Sequence, residues 1–365
     1  MPGNAGNPFS SSTEPADADL YVLGSDDVVV SGQGDRLRAA GKLVFGPNAD
    51  GGRLEGSKQW MKQLLVDAGV PTARHGSFTA LGDAEAFLRS LPGPYVVKTD
   101  YLALGKGVLV TPDLDEAIAD ARAKLDGGGI VIEECMTGPE VSIFAVCDGT
   151  NAIAVPPAQD FKRIGEGDVG PNTGGMGSVA PVPIATKAVV DEVMERCIGP
   201  TLHALRARGI DYRGVLYSNP MLTDEGPKIV EYNVRWGDPE CQVLMPLFES
   251  DPMELMAEAA AGDLRTMSRF LERAAVTVAL AAEGYPGPVR KGDVIAGIDD
   301  ANALPDVIVF SAGVGPGNTT NGGRVLSVTA LGEDLADARS RAYAAVDLIS
   351  WPGMYCRRDI GARYS

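Results

Sequence analysis

Glu231 and Asn233 stand two residues apart in VEYNVRWGDPE, 230–240. Side chains alternate along a strand, so a strand here turns both oxygens to one face. A carboxylate beside an amide oxygen suits a hard cation such as Mg²⁺, which keeps phosphate oxygens as its other ligands. Arg235, Asp238 and Glu240 crowd the following turn. Such charge in an apolar neighbourhood fits a site better than a solvated loop, although a polar sheet edge is the plain alternative.

Three other stretches carry groups suited to anions. In VVKTDYLALGKGV, 96–108, Lys98 lies near the end of an apolar run and Lys106 in a Gly-Lys-Gly turn. Glycine lets backbone N–H groups approach an anion and lysine adds a point charge. A hairpin turn explains Gly-Lys-Gly as well, and the Walker pattern G-x-x-x-x-G-K-[ST] is absent. In VIEECMTGPEVS, 131–142, an apolar strand runs into Glu133 and Glu134, with Glu140 beyond. These carboxylates suit an adenine amino group and ribose hydroxyls, or simply end a solvated strand. Lys162 and Arg163 lead into IGEGDVGPNTGGMG, where Asn172 and Thr173 precede Gly174 and Gly175. Two cations, a turn at Pro171–Asn172 and exposed amides read as a cradle that closes over a phosphate-bearing ligand, with a linker as the alternative.

The elements that must position these groups follow from periodicity and punctuation. LYVLGSD and KLVFGP read as short strands around a helix at DRLRAAG. SKQWMKQLLVDAGV is helical, with apolar residues at helical spacing and a glycine stop. DAEAFLRSL reads as a helix capped by Asp83. PYVVKTD, ALGKGVLV, DEAIADARAKL and GIVIEECM give a strand–turn–strand–helix–strand module. TKAVVDEVMERCIGPTLHALRARG reads as one long helix, and GVLYSNPML-TDEG-PKIVEYN as a hairpin closed by Gly226. DPMELMAEAAAGDL is helical. From about residue 272 the chain turns to short, glycine-punctuated strands and one last helix, DLADARSRAYAAVDLI. The expected division is a short α/β domain at 1–47, a central domain at 48–265 with a small lobe near 75–140, and a β-rich domain at 266–365.

Composition narrows the function. The net charge of −17 and the lack of a basic stripe speak against a nucleic-acid partner. No apolar run approaches the ~18 residues of a membrane span, and the opening residues lack a secretory pattern. Five scattered cysteines, without C-x-x-C, suit a reducing cytoplasm. Two histidines leave little room for a histidine-based triad.

In collinear order, FGP, LEGSK, GKGV, VIEE, GPNTGGMG, RWGDPE, GYPG, TNGGRVLSVTALG and CRRDIG resemble the phosphoribosylamine–glycine ligase family, over about residues 45–365. The resemblance implies an α/β ATP-grasp fold with a shortened N-terminal α/β domain and a β-rich C-terminal domain. It implies that ATP phosphorylates a small amino-acid carboxylate and that a small-molecule amine then displaces phosphate. Lys58, Lys98, Glu133, Glu134, Glu140, Lys162, Arg163, Gly174 and Gly175 would hold ATP. Glu231 and Asn233 would hold Mg²⁺, with Mn²⁺ as a substitute. Arg235, Lys106 and Asp238 would be catalytic, Arg235 balancing charge on the transferring phosphoryl group. Asp160, Phe161, Asn172, Thr173, Gly174, Asp238, Glu240 and Arg324 would line the substrate pocket. A monomer or homodimer is expected.

The sequence departs from that family pattern in places. A GSGGREHAL-like strand–loop–helix is not found, and the family's GPE reads GSDD at 24–27. DHKR has become DFKR through Phe161, and KADGLAAGKG has become KTDYLALGKG. These changes predict a divergent enzyme that joins an amino acid to an amine other than phosphoribosylamine. The ordinary ligase is the close alternative, and a non-catalytic nucleotide-binding relic the distant one.

Overall fold

The computed structural model describes residues 17–101, 107–265 and 268–364. Strands Tyr21–Val22 and Val44–Phe45 pair in parallel. Helix Gln33–Ala39 lies between them, as expected, and is preceded by a further short helix at Asp26–Val30. Gly46 meets the next sheet so closely that a Cβ on Gly214 would lie 2.8 Å from its Cα.

Helix Lys58–Asp67 is capped by Ser57, whose hydroxyl accepts from Trp60 N. Helix Leu114–Leu125 is capped by Asp113 in the same way. Asp83 does not cap its helix: the helix starts at Leu81 and holds Asp83 inside its first turn. A carboxylate there still complements the helix dipole. The small lobe is a four-stranded antiparallel sheet in the order His75–Phe78, Ile130–Glu134, Tyr95–Thr99, Val108–Thr111. Helices Leu81–Arg89 and Leu114–Leu125 close its apolar face around Leu88, Val97, Ala121 and Ile132.

The larger lobe is built on the sheet Gly226–Asn233, Arg213–Thr223, Ile143–Asp148, Ala152–Ala154. Its first two strands form the expected hairpin, and Gly226 takes φ +98° at the turn. The long helix is broken. Lys187–Val193 passes through a π-turn at Met194–Ile198 into Gly199–Ala207. Pro200 cannot donate a backbone N–H, and a π-turn absorbs such a break.

The third sheet runs Val307–Ser311, Arg324–Gly332, Ala274–Ala281, Gly177–Ala180, Gln159–Asp160. Its last two strands come from the central part of the chain. The C-terminal strands and the two strands that flank the glycine-rich segment are therefore parts of one hydrogen-bonded sheet.

Candidate functional site

The site begins in the wall of the small lobe. Lys98, on Tyr95–Thr99, faces Glu133 across the ladder, with Nζ 3.0 Å from the carboxylate. Lys62, from helix Lys58–Asp67, reaches the same carboxylate at 3.2 Å. All three side chains are buried. Burial alone would raise the Glu133 carboxyl, but the two ammonium groups outweigh it and hold it below the ordinary value. Asp100 ties the same helix start to this lobe by accepting from Gln59 N at 2.8 Å and from the Ser57 hydroxyl.

Across the cleft, Lys162 Nζ lies 2.5 Å from Glu140. Asn219 donates to Glu140 at 3.3 Å and to the Tyr217 hydroxyl at 3.1 Å, and Asn233 donates to Asn219 at 3.0 Å. Asn219 stands opposite Glu231 in the hairpin register. Glu231 has no direct ion pair among the described residues. Burial pushes its carboxyl up, but the charges of Lys162, Lys98 and Lys58 pull it below its ordinary value. Lysines from both lobes and the helix start thus converge on one carboxylate. Asp160 behaves oppositely: burial, reinforced by Glu240 and Glu140, pushes it up to about 7 against Lys162.

The Arg235 guanidinium pairs with Glu55 at 3.0 Å, and Glu55 also accepts from Val234 N at 2.9 Å. Burial pushes the Glu55 carboxyl up to about 7 even with Arg235 opposing. Glu240 is buried and accepts from the Tyr217 hydroxyl. Asp238 accepts from Gln242 and pairs with Arg324 at 3.1 Å. Arg324 also donates to the carbonyls of Gly174, Gly175 and Asp238 at 2.7, 3.1 and 2.8 Å. Gly175 takes φ +109°, and a Cβ there would lie 2.4 Å from Pro239 Cδ, so only glycine fits.

Several expected residues are placed elsewhere. The Glu133 carboxylate is enclosed by two lysines and is not open to adenosine. Glu134 points from the opposite strand face and accepts from Arg74 N at 2.9 Å. Arg163 is exposed and donates to Gly170 O, while Asn172 is exposed on the far strand of the same hairpin. The glycine-rich stretch is not an open cradle. Arg163–Gly165 and Val169–Asn172 form a two-stranded hairpin, Gly174 N goes to the Tyr285 hydroxyl, and Gly175 N goes to Thr173 Oγ1. Phe161 is not on a pocket wall: its ring is buried, with Arg357 and Arg363 at 5.2 and 4.8 Å from its centroid. Lys106 lies outside the described residues.

Lys62, Glu55, Asn219 and Tyr217 were not anticipated. Lys62 offered a signal, since it falls among Met61, Leu64 and Leu65 on the buried side of its helix. Asn219 offered another, as a polar residue in an apolar strand opposite Glu231.

The residues present fit Mg²⁺ in one specific sense. Among the described residues no cluster of three or more His, Cys, Asp or Glu could hold a metal alone. Glu231 and Asn233 supply two hard oxygens beside three lysines, which suits an ion that shares its coordination with phosphate.

Two opposed lobes with lysines and acids converging between them define the ATP-grasp class. The crystal structure of the phosphoribosylamine–glycine ligase of Thermotoga maritima superposes with a TM-score of 0.79 at 37% identity, over 87% of this chain and 81% of that one. A Campylobacter jejuni biotin carboxylase shares the fold alone, at 15% identity and a TM-score of 0.75. The family model for the phosphoribosylglycinamide synthetase ATP-grasp (A) domain matches residues 56–241, and that for the C domain matches 275–363. The phosphoribosylamine–glycine ligases of Mesorhizobium japonicum and Synechocystis are 46% and 48% identical, each over 94% of this chain and 83% of the relative. The chain belongs to the phosphoribosylamine–glycine ligase family, and it is an ATP-grasp ligase that forms carbon–nitrogen bonds. Among the described residues no helix is long and apolar enough to cross a membrane.

Proposed function

We propose that this enzyme joins the carboxylate of glycine to the amine of phosphoribosylamine, the ordinary reaction named for its relatives. The observation that carries the reading is its likeness to those relatives, at about 45% identity along nearly the whole chain. The divergent-amine reading leaned in part on Phe161, and the buried ring weakens that part: a side chain packed against two arginines does not shape an acceptor pocket.

In this mechanism Lys98 and Lys162 draw the triphosphate into the cleft from its two sides. Glu231 and Asn233 would hold Mg²⁺, which would neutralise phosphate charge when bound. The γ-phosphoryl group passes from ATP to a glycine carboxylate oxygen, leaving ADP and an acyl phosphate. Arg235, held by Glu55, offsets charge on the moving group, because phosphoryl transfer depends on positioning and neutralisation. The amine nitrogen then bonds to the acyl carbon, the carbon–oxygen bond to phosphate breaks, and the nitrogen loses a proton. The turns at Gly174–Gly175 and Asp238–Pro239, fastened by Arg324, would form the wall against which the two substrates meet.

The test supplies ATP, Mg²⁺, glycine and freshly made phosphoribosylamine, and follows ADP together with the mass of glycinamide ribonucleotide. One ADP per product molecule, dependent on both substrates, is expected. ADP release that requires a different amine would restore the divergent reading. No ATP turnover with any amine would leave the relic.

A further inference from the structure

Lys62 is fully buried and lies outside every motif that carries the family resemblance's nucleotide contacts. Its ammonium touches two groups. One is Glu133, which also binds Lys98. The other is Thr72 Oγ1, at 2.7 Å, whose own proton goes to Ile229 O at 2.7 Å. Ile229 is two residues before Glu231 on the same strand, and Ile229 N donates to Pro71 O. Lys62 therefore stands where the chain passes from helix Lys58–Asp67 into the small lobe, bonded to that lobe's sheet and, through Thr72, to the metal-ligand strand of the other.

The charge count gives this position a purpose. A buried Lys98–Glu133 pair by itself is neutral, and the field of Lys98 would be largely cancelled by its partner. A second buried ammonium on the same carboxylate leaves the trio with a net single positive charge. We propose that Lys62 is a positioning residue that shares Glu133, and so frees the charge of Lys98 for the phosphates of the nucleotide while fixing its rotamer. Burying two cations with one anion is unfavourable unless the surplus charge meets an anion; Glu231 faces that charge from the other lobe, and the phosphates of the nucleotide would meet it when bound. The inference rests on the nucleotide reading of the Lys98 wall and does not depend on which amine is joined.

The surroundings predict a pH signature. The charged groups that face Lys62 are Glu133 and Lys98 on the small-lobe sheet, with Glu231 beyond on the opposite lobe. Burial brings the Lys62 ammonium down to about 8, with Glu133 opposing the shift. As pH rises through that value Lys62 loses its proton and Glu133 turns wholly to Lys98. Phosphate affinity then falls.

The experiment measures binding of a non-hydrolysable ATP analogue with Mg²⁺ by calorimetry from pH 6.5 to 9.5, in wild type, Lys62→Met and Lys62→Arg, with no amino acid or amine present. Wild type should weaken across the alkaline limb. Lys62→Met, nearly isosteric, should bind about 10–100-fold more weakly at pH 7 and show no such limb. Lys62→Arg keeps a permanent charge. It should bind within a few-fold of wild type at pH 7 and stay flat to high pH. If Lys62→Met fails to fold, the arginine variant decides alone: an alkaline limb that persists in Lys62→Arg overturns the proposal. So does wild-type affinity in a folded Lys62→Met. A wild type that binds no analogue at any pH overturns the nucleotide reading and this inference with it.

Discussion

Replacing Arg324 by methionine tests whether the C-terminal sheet holds the catalytic turns in place. The side chain is 18% exposed and donates to three carbonyls and one carboxylate. A hydrogen bond from a charged donor contributes about 1.5–3 kcal/mol. One nitrogen serves all three carbonyls, so their contributions do not add in full. Asp238 is 34% exposed, and solvent screening reduces its ion pair to about 1 kcal/mol or less. The loss is then about 2–4 kcal/mol, which raises the population of detached turns by roughly 30- to 1,000-fold. Methionine fills the space of the stem but offers no donor. Hydrogen exchange at the amides of 173–177 should accelerate in Arg324→Met, and the apparent KM for glycine should rise much more than that for ATP. Lysine should recover only part of the effect, because a single ammonium cannot match the planar fork. Unchanged exchange with unchanged kinetics in Arg324→Met would refute the fastening argument.

Glu231→Gln keeps shape but removes the anionic oxygen facing three lysines; ADP release should fall at least about a hundredfold, and wild-type turnover would reject the metal assignment. The Glu55 carboxyl has its folded pKa raised from 4.5 to about 7, so its stabilising contribution is complete below 4.5 and is lost as pH rises through 7. Chemical denaturation of wild type and Glu55→Gln should show wild type losing on the order of 3 kcal/mol relative to the variant across that window, and parallel pH curves would contradict it. Phe161→His should leave the choice of amine unchanged while lowering stability below pH ~6.5, where an imidazolium would face Arg357 and Arg363; a changed amine preference would return Phe161 to the pocket.

What the sequence made legible follows from how local each signal is. Glu231 and Asn233 share a strand face because period two is enforced by every L-residue backbone, so their pairing needs no knowledge of the rest of the fold. Lys98 and Gly226 were readable for similar reasons. The partners of Glu133 were not: Lys98 meets it across a ladder, and Lys62 meets it from a helix some seventy positions earlier. Nothing in the string VIEE distinguishes a carboxylate held by two buried lysines from one that holds a ribose. The hairpin within the glycine-rich stretch was not legible, because composition reports backbone freedom and not what uses it. The Gly174 amide is taken by Tyr285, which only tertiary placement brings there, and the Gly175 amide by the neighbouring Thr173 hydroxyl. The broken long helix was visible only as Pro200, whose cost depends on whether a π-turn can form around it.

The packing of the glycine-rich stretch ties the β-rich part to the proposed site. Its hairpin is held almost wholly by the last residues of the chain. Arg357, fully buried, donates to Arg163 O at 3.0 Å and to Asp168 and Asp359 at 2.7 Å. Asp359 in turn accepts from Gly167 N, Glu166 accepts from Arg358 N, and the Tyr355 hydroxyl donates to Ile164 O. Lys162 directly precedes the hairpin, and its carbonyl accepts from both the backbone and the hydroxyl of Thr173. A cation presented by a free glycine-rich loop would lose much of its attraction for phosphate to the entropy of being ordered. Here the ordering is done beforehand, by a sheet that runs from Val307–Ser311 into Gly177–Ala180 and by a buried arginine clamp. The segment's glycines serve close approach, as Gly175 does against Pro239, more than motion. The small lobe is tied to the same hairpin where the chain enters and leaves it: Thr72 bridges to Ile229 on the strand that carries Glu231, and Glu140 bridges to Met221 on that strand's partner.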